Sequence, residues 1–257
     1  MDKNSYRVLS FIFTENNTIM KTIGLIGGLT WHSTMDYYRL LNEMINARLG
    51  GDQAGKIILF SVNFAEIKIL TEEGRWDEIA MMICDVARKL EQAGADCILI
   101  GANTMHKIAD DIQQAITIPV IHIAEVTAAQ IKKQCAASNG QLKKVALLGT
   151  KYTMQLDFYK DKLAMQGINT IIPDEEGIEI INTAIYNEMG KGIFLPATKQ
   201  KFLIIINKLI KQGAEGIILG CTEIPLLIMQ EDCAVPVFDT TKIHSTAAVE
   251  FALDNTL

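Results

Sequence analysis

The chain has few cysteines and histidines, and their spacing fits neither a disulfide framework nor a metal site. Its 257 residues include five cysteines, an odd number, and no Cys-x-x-Cys pair. The four histidines also lack the spacing typical of metal ligands. This composition excludes a small disulfide-stabilised scaffold and favours a reducing, cytoplasmic setting. We predict no bound metal ion.

Long hydrophobic runs and clusters of basic residues are also missing. Hydrophobic residues make up 49% of the chain, but they occur in short runs that fall well below the roughly 20 residues of a membrane helix. The formal net charge is −6, and no Lys/Arg cluster is interleaved with aromatic residues. We therefore predict neither a membrane nor a nucleic-acid partner, and expect a small-molecule substrate.

Residues 1–19 differ in character from the rest of the chain. They carry one short apolar run and a polar end, and they lack the long apolar region and cleavage site of a signal peptide. A clean strand pattern begins just after Met20. We expect residues 1–19 to be a disordered tail, or translation to begin naturally at Met20.

From residue 21 onward, short apolar runs rich in β-branched residues alternate with amphipathic helical patterns. The runs KTIGLIG, KIILFSV, CILIGA, PVIHI, KVALLG, GINTIIP, GIILGC and PVFD read as buried parallel strands. Helical patterns cover residues 33–48, 77–92, 125–134, 154–166 and 199–212. This alternation predicts an α/β fold with parallel sheets, in which ligands bind beyond the carboxyl ends of the strands.

Two of these strand ends echo each other. GADCILIGANTMHK begins at Gly94 and GAEGIILGCTEIPL begins at Gly213, and in this register Ala102 corresponds to Cys221. Similar turns recur in any parallel sheet, but this match runs without gaps over about a dozen positions, which is longer than a single turn. We favour a duplicated, pseudo-symmetric architecture with the site between the halves.

Cys221 lies in the most informative turn, Gly-Cys-Thr-Glu at residues 220–223. A cysteine after a strand and before a helix lies near free backbone N–H groups, which favour the thiolate. Thr222 and Glu223 add polar groups that a purely structural turn would not need. The alternative for any cysteine is a small buried side chain that fills a gap, and this is our interpretation for Cys84, Cys97, Cys135 and Cys233.

Other strand ends carry polar residues that could bind a substrate carboxylate. Asn103 and Thr104 follow the strand that echoes the Cys221 strand, and Thr150 follows KVALLG. Helix capping explains these residues equally well, and the two roles can coexist. Tyr186 and Lys191 could reach an anionic substrate, although a solvated surface is the favoured interpretation.

The first strand ends in a glycine-rich turn at residues 27–34 that is not a nucleotide motif. It is not Gly-x-Gly-x-x-Gly, and no acidic residue closes the following strand, so a dinucleotide site is disfavoured. The sequence also has no phosphate-binding loop and no nucleophile elbow. His244, near the last helix, could orient or deprotonate a thiol, or be a surface histidine.

At these turns the chain resembles the aspartate/glutamate/hydantoin racemase family, especially its aspartate racemases and broad-specificity amino-acid racemases. The resemblance extends from about residue 20 to about residue 252. The stretches that carry it are IGLIGGLTWHSTMDYYRLLN, GADCILIGANTMHKIAD, VALLGTKYTMQLDFY, GAEGIILGCTEIPLL and VPVFDTTKIHS.

The resemblance implies two Rossmann-like lobes related by a pseudo-two-fold axis, with the active site in the cleft between them. It implies that residues 20–118 and 234–257 form the first lobe and that residues 119–233 form the second. It also implies a homodimer that uses neither pyridoxal phosphate nor a metal ion.

Family members typically place one cysteine on each face of the substrate α-carbon, and this chain keeps only one of the two. Cys221 falls on the second cysteine of the family. The first belongs to a Cys-Asn-Thr turn, which here has Ala102 in place of cysteine. Ala102 has no proton to exchange, so the resemblance leaves the proton donor for the second face unassigned.

Three functions remain open. The first is an aspartate or glutamate racemase in which Thr104, a water or another group replaces the missing base. The second is a one-base enzyme, as in the related arylmalonate decarboxylases, and the third is a non-catalytic binder of dicarboxylates. For the enzyme we predict Cys221 as acid/base, Glu223 and His244 as supporting groups, and a binding set of Gly28, Asn103, Thr104, Thr150 and Thr222.

Overall fold

The computed structural model describes residues 20–137 and 142–254, so the tail predicted for residues 1–19 lies outside the described residues. The described residues form two parallel sheets, one of three strands and one of four. In the described part of the chain, none of the helices combines the length and the apolar character that crossing a membrane requires.

The first sheet has the strand order β2-β1-β3 and is covered by helices on both sides. Strands β1 and β3 are fully buried, which explains their continuous apolar sequence. The elements are β1 (Ile23–Gly27), α1 (Trp31–Leu49), β2 (Ile57–Ser61), α2 (Phe64–Glu72), α3 (Trp76–Gln92), β3 (Cys97–Ile100), a 3-10 helix (Thr104–Ile108), α4 (Ala109–Ala115) and α5 (Ile123–Ala137).

The second sheet has the order β5-β4-β6-β7. Its elements are β4 (Lys144–Gly149), α6 (Lys151–Gln155), α7 (Asp157–Ala164), β5 (Asn169–Ile171), α8 (Glu175–Asn187), α9 (Pro196–Lys211), β6 (Ile217–Gly220), β7 (Val237–Asp239) and α10 (Thr240–Leu253), with 3-10 helices at Met189–Lys191, Ile224–Leu226 and Gln230–Asp232. The single helix predicted over residues 154–166 is divided at Leu156, whose extended backbone separates α6 from α7.

The two halves repeat the same connections at the level of single hydrogen bonds. Ile98 N donates to Pro119 O at 2.8 Å, and its counterpart Ile217 N donates to Pro236 O at 2.9 Å. The turn glycines before β3 and β6 adopt φ of 96° at Gly94 and 94° at Gly213. The internal echo in the sequence therefore has a structural counterpart, and it aligns Ala102 with Cys221.

The strand pairing departs from the predicted lobe boundaries at two places. Residues 237–239 were expected in the first lobe, but β7 pairs with β6 in the second sheet. Val120, expected in the second lobe, forms a parallel bridge with Ile98 of the first sheet. The physical reason is the repeat itself, because each sheet extends its edge with the Pro-Val segment that follows its own third strand. Helix α10 packs against α1 of the first half and against α5, whose buried residues form one core with β4 of the second half, and so links the halves.

Candidate active site

The carboxyl ends of the two sheets face a shared cavity of about 500 Å³. This is where ligands bind in open α/β sheets, and the volume suits a small organic molecule. Among its lining residues are three turns from different strands: Thr30–Ser33 after β1, Ala102–Met105 after β3, and Gly220–Glu223 after β6. The start of α6 and one face of α8 complete the wall.

Cys221 lies in this cavity with its thiol directed at a carboxylate. Its Sγ donates to Glu223 Oε2 at 2.8 Å, and the hydroxyl of Thr222 donates to the same oxygen at 2.7 Å. The other oxygen, Oε1, accepts from Thr30 Oγ1 across the cleft at 3.3 Å. Cys221 and Glu223 are 8% and 6% exposed. The thiol thus has a buried proton acceptor beside it.

The structure differs from the expectation that the backbone around Cys221 favours a thiolate. Burial, together with the negative charge of Glu223, raises the pKa of the Cys221 thiol well above its usual value. The residues after Cys221 form only a three-residue 3-10 helix, so no long helix dipole offsets this effect. In the unliganded site Cys221 is a neutral thiol.

Ala102 occupies the turn of the first lobe that corresponds to Cys221. Its side chain lines the same cavity, and its carbonyl oxygen accepts a hydrogen bond from His106 Nδ1 at 2.9 Å. This bond fixes the backbone of the turn but places no titratable group on the Ala102 side chain. The side of the cavity formed by this turn has no thiol.

Thr104 and Thr150 lie together in a cluster of three buried hydroxyls. Thr104 Oγ1 lies 2.9 Å from Thr150 Oγ1 and 3.2 Å from Thr153 Oγ1, and the last two are 3.2 Å apart. Thr150 also accepts from Thr153 N, so it caps α6 while it lines the cavity.

Asn103 lines the cavity but uses its amide group to connect the two halves. Its Nδ2 donates to Thr240 Oγ1 at 3.1 Å, and that hydroxyl donates to Leu219 O at 2.8 Å. Because the Thr240 proton is committed to Leu219, the amide orientation is fixed. Asn103 Oδ1 has no hydrogen-bond partner among the described residues.

Gly28 and His244 lie elsewhere than predicted, outside the cavity lining. Gly28 N donates to Thr34 Oγ1 at 2.8 Å, so it is not available to a carboxylate. Its φ is +76°, and a Cβ there would lie 2.1 Å from Val62 O, so its role is to allow a tight turn. His244 is fully buried: its Nε2 donates to Ile121 O, and its Nδ1 accepts from the hydroxyl of Tyr37.

Comparison with known proteins assigns the family. A model of the Asp/Glu/Hydantoin racemase family matches residues 26–248. This chain belongs to that family. The broad-specificity amino-acid racemase RacX of Bacillus subtilis (strain 168) is 30% identical over 176 residues, which is 67% of this chain and 72% of RacX. Racemases are isomerases, so the family is one of isomerases.

Solved structures of similar proteins agree with this assignment. A candidate Asp/Glu racemase from Yersinia pestis is 46% identical and has a TM-score of 0.84, covering 91% of this chain and 100% of that one. An aspartate racemase homologue from Pyrococcus horikoshii OT3 is 36% identical, with a TM-score of 0.79 and coverage of 91% and 100%. The two-lobed α/β fold predicted from the sequence is confirmed.

Several residues of this racemase-family site escaped sequence reasoning. Tyr186 was read as a solvated surface residue, yet it is half-buried in the cavity wall, and burial and the nearby Cys221 raise the pKa of its phenol. Lys191 is exposed and is not among the cavity residues. Tyr152 crosses the cleft to donate to Thr71 O at 3.2 Å. The sequence signal that could have identified Tyr152 as a site residue is its position two residues after Thr150, at the same strand end.

The described residues of the site contain no grouping of metal ligands. Among residues 20–137 and 142–254, no group of three or more His, Cys, Asp or Glu side chains is arranged to hold a metal ion. Three buried histidines do lie near one another. The ring centroid of His106 is 4.9 Å from that of His122 and 5.3 Å from that of His244.

Proposed function

We propose that this chain is a racemase of an acidic amino acid that transfers the α-proton with side chains alone, with Cys221 as acid/base on one face. The observation that carries the proposal is the Cys221 thiol, 2.8 Å from the Glu223 carboxylate inside the cavity. A thiol with a buried proton acceptor and access to a ligand is the arrangement that general acid–base catalysis needs. The amino-acid racemases among its relatives support the same reaction.

The polar groups of the cavity suit a substrate with two carboxylates. Hydroxyls of Thr104 and Thr150 lie on turns that surround the cavity and can donate to one carboxylate. The Thr222 hydroxyl, which was predicted to bind substrate, donates to Glu223 instead. Lys68 and Lys151 line its outer part and bring positive charge for the other. Aspartate and glutamate fit this pattern, and they are the substrates we propose.

The first step moves two protons. Glu223 accepts the proton of the Cys221 thiol, which leaves a thiolate, and the thiolate then takes the proton from the substrate α-carbon. The electron pair of the broken C–H bond spreads into the α-carboxylate, whose charge is stabilised by hydrogen bonds from the threonine hydroxyls and by exclusion of water. Reversal of these transfers returns a proton to the same face.

Inversion needs a proton from the other face, where Ala102 has none. We propose that the hydroxyl of Thr104, two residues further along the same turn, supplies it. The proton that Thr104 gives up is replaced from Thr150 or Thr153, because the three oxygens are within 3.2 Å of one another. Solvent water in the cavity then returns a proton to this cluster through Thr150, and Glu223 releases its extra proton to the same solvent. A Thr104→Val variant would then exchange the α-proton but not invert the centre.

Ala102 also favours a second candidate, a one-base enzyme that protonates a single face. In that case the wild-type protein exchanges the α-proton of one enantiomer with retention, and Thr104 only binds the substrate. The ratio of inversion to exchange separates the two candidates. A protein that binds the ligand without turnover would show neither inversion nor exchange of the α-proton.

Replacement of Cys221 tests the proposal. In D₂O with L- and D-aspartate or glutamate, we expect Cys221→Ser to slow deuterium incorporation at Cα by 100-fold or more, because a serine hydroxyl is a far weaker acid. Isothermal titration should show unchanged substrate affinity. Cys233→Ser is the matched control, since Cys233 lies outside the cavity and should exchange like the wild type. Equal rates for both variants would contradict the role of Cys221.

A further inference from the structure

Two threonine side chains carry hydrogen bonds across the cleft, one from each half. Thr30 of the first half donates to Glu223 Oε1 of the second at 3.3 Å. Thr150 of the second half bonds to Thr104 of the first at 2.9 Å. Both threonines line the cavity.

These two contacts occupy equivalent places in the repeated fold. Thr30 follows β1 and caps α1 by accepting from Ser33 N, while Thr150 follows β4 and caps α6 by accepting from Thr153 N. Their partners are also equivalent, since Thr104 lies two residues after Ala102 and Glu223 lies two residues after Cys221. Each capping threonine thus contacts the turn of the opposite lobe. For Thr30 this is the turn that carries Cys221, and for Thr150 it is the equivalent turn that carries Ala102.

The chemistry of the two contacts differs. Thr150 meets a hydroxyl, which does not titrate, but Thr30 meets a carboxylate that is 6% exposed. A buried carboxylate keeps its charge only when its oxygens accept hydrogen bonds. Thr222 and Cys221 donate hydrogen bonds to Oε2 of Glu223, and Thr30 donates one to Oε1.

We propose that Thr30 is a positioning residue for proton transfer, whose hydroxyl holds the Glu223 carboxylate in the orientation that receives the Cys221 proton. Its catalytic consequence rests on the proposed function. The bond is the longest of the three to Glu223, and catalytic hydrogen bonds often tighten only when substrate binds.

Loss of the Thr30 hydroxyl should weaken the contact between Glu223 and Cys221. With Oε1 unpaired, the carboxylate is free to rotate away from the thiol, which lies 2.8 Å from Oε2 in the structure, and receives the thiol proton less readily. Thr30→Val should therefore lower kcat for α-proton exchange by about tenfold and leave KM nearly unchanged, because Thr30 acts on proton transfer and not on substrate binding.

The test compares Thr30→Val, Thr30→Ser and Thr150→Val. Both valine variants lose a helix cap and a cross-cleft bond, so their melting temperatures should fall alike, but only Thr30→Val should lower kcat at unchanged KM. Thr30→Ser should restore kcat. Thr150→Val should instead raise KM, because Thr150 faces the substrate.

A second readout needs no turnover. The infrared S–H stretching band of Cys221, identified by its loss in Cys221→Ser, should lie at a higher frequency in Thr30→Val than in the wild type or in Thr150→Val, because the hydrogen bond from the thiol to Glu223 is weaker. A shifted band without α-proton exchange in the wild type would keep this inference and overturn the proposed function. An unshifted band, or equal shifts in the two valine variants, would overturn the inference.

Discussion

At the residue scale, the two equivalent positions 102 and 221 differ by one sulfur atom. Ala102 and Cys221 follow equivalent strands and line the same cavity, but only the Cys221 side chain has an exchangeable proton. The equivalence rests on shared backbone features, such as Gly94 and Gly213 with φ near +95°. A side chain placed at residue 102 should therefore point at the substrate from its turn as Cys221 does from its own.

Ala102→Cys should create or raise racemisation. A thiol at this position supplies a proton donor for the second face, and a well-placed acid or base contributes about 10²- to 10⁴-fold. We expect the rate of enantiomer formation to rise at least tenfold in a chiral assay, while Ala102→Ser, of similar size, gives no such gain. A folded Ala102→Cys variant that binds substrate without faster inversion would argue against the alignment of the two turns.

Sequence reasoning located the candidate site but misjudged some of its chemistry. Cys221, Thr222 and Glu223 could be selected because a polar turn at a strand end needs an explanation. The direction of the Cys221 pKa could not be predicted, since it depends on burial and on the Sγ–Oε2 contact. The proposed role of His244 depended on proximity to a thiol, which no periodicity reveals.

At the scale of elements, the strands were easier to predict than the helices that wall the cavity. Buried parallel strands are apolar along their whole length, as β1, β3 and β6 are, and this pattern is visible in a single sequence. Helices α2 and α8 were not predicted, although both contribute to the cavity wall. Helix α8 has a clear apolar face, with Ile178, Ile181 and Ile185 buried at helical spacing, so a signal for it was present in the sequence and was missed.

Helix α6 is held against the first half at the mouth of the cavity by Tyr152. Its hydroxyl donates to Thr71 O, and its ring packs edge-on against Trp76 with centroids 5.7 Å apart. Each such contact is worth about 0.5–1.5 kcal/mol. The contact closes the cleft beside Thr150.

Tyr152→Ala should raise KM for the acidic substrate several-fold with a smaller change in kcat, because the open mouth weakens binding in the ground and transition states alike. Tyr152→Phe, which keeps the ring against Trp76, should have a smaller effect in the same steady-state assay. Tyr38→Ala is the matched control, since Tyr38 is exposed on α1 away from the cavity lining. An unchanged KM in Tyr152→Ala would exclude this role.

Helices α5 and α10 and the turn after β3 bring three histidines together in the interior. Burial lowers the pKa of His106 and His244 well below the usual value, and that of His122 to about 3, where Lys162 adds a repulsive charge. All three are therefore neutral in the folded protein near pH 7. They regain their ordinary pKa of about 6.5 on unfolding.

Folding stability should fall as the pH drops below about 6.5, because the unfolded chain then binds protons that the folded chain refuses. The slope approaches about 1.4 kcal/mol per pH unit for each buried histidine. Urea unfolding between pH 7.5 and 5 measures it, and His122→Asn should flatten the curve. His32→Asn is the control, since His32 lies in the cavity wall outside this cluster. Equal slopes for wild type and His122→Asn would contradict this account.

At the scale of the whole molecule, duplication was the feature best predicted from sequence. A sequence repeat of about a dozen residues implied two equivalent strand ends. The two sheets do share a strand order, because β1 lies between β2 and β3 as β4 lies between β5 and β6. The lobe boundaries were harder to predict because α10 links both halves and β7 joins the second sheet. The dimer that the family resemblance implies stays a prediction.

The most direct test of the account is the stereochemical course of α-proton exchange in the wild-type protein. Purified protein would be incubated with each enantiomer of aspartate and glutamate in D₂O, with NMR for deuterium at Cα and a chiral assay for inversion in the same samples. We expect deuterium at Cα together with the opposite enantiomer for at least one of these acids. Absence of exchange with all four would contradict it.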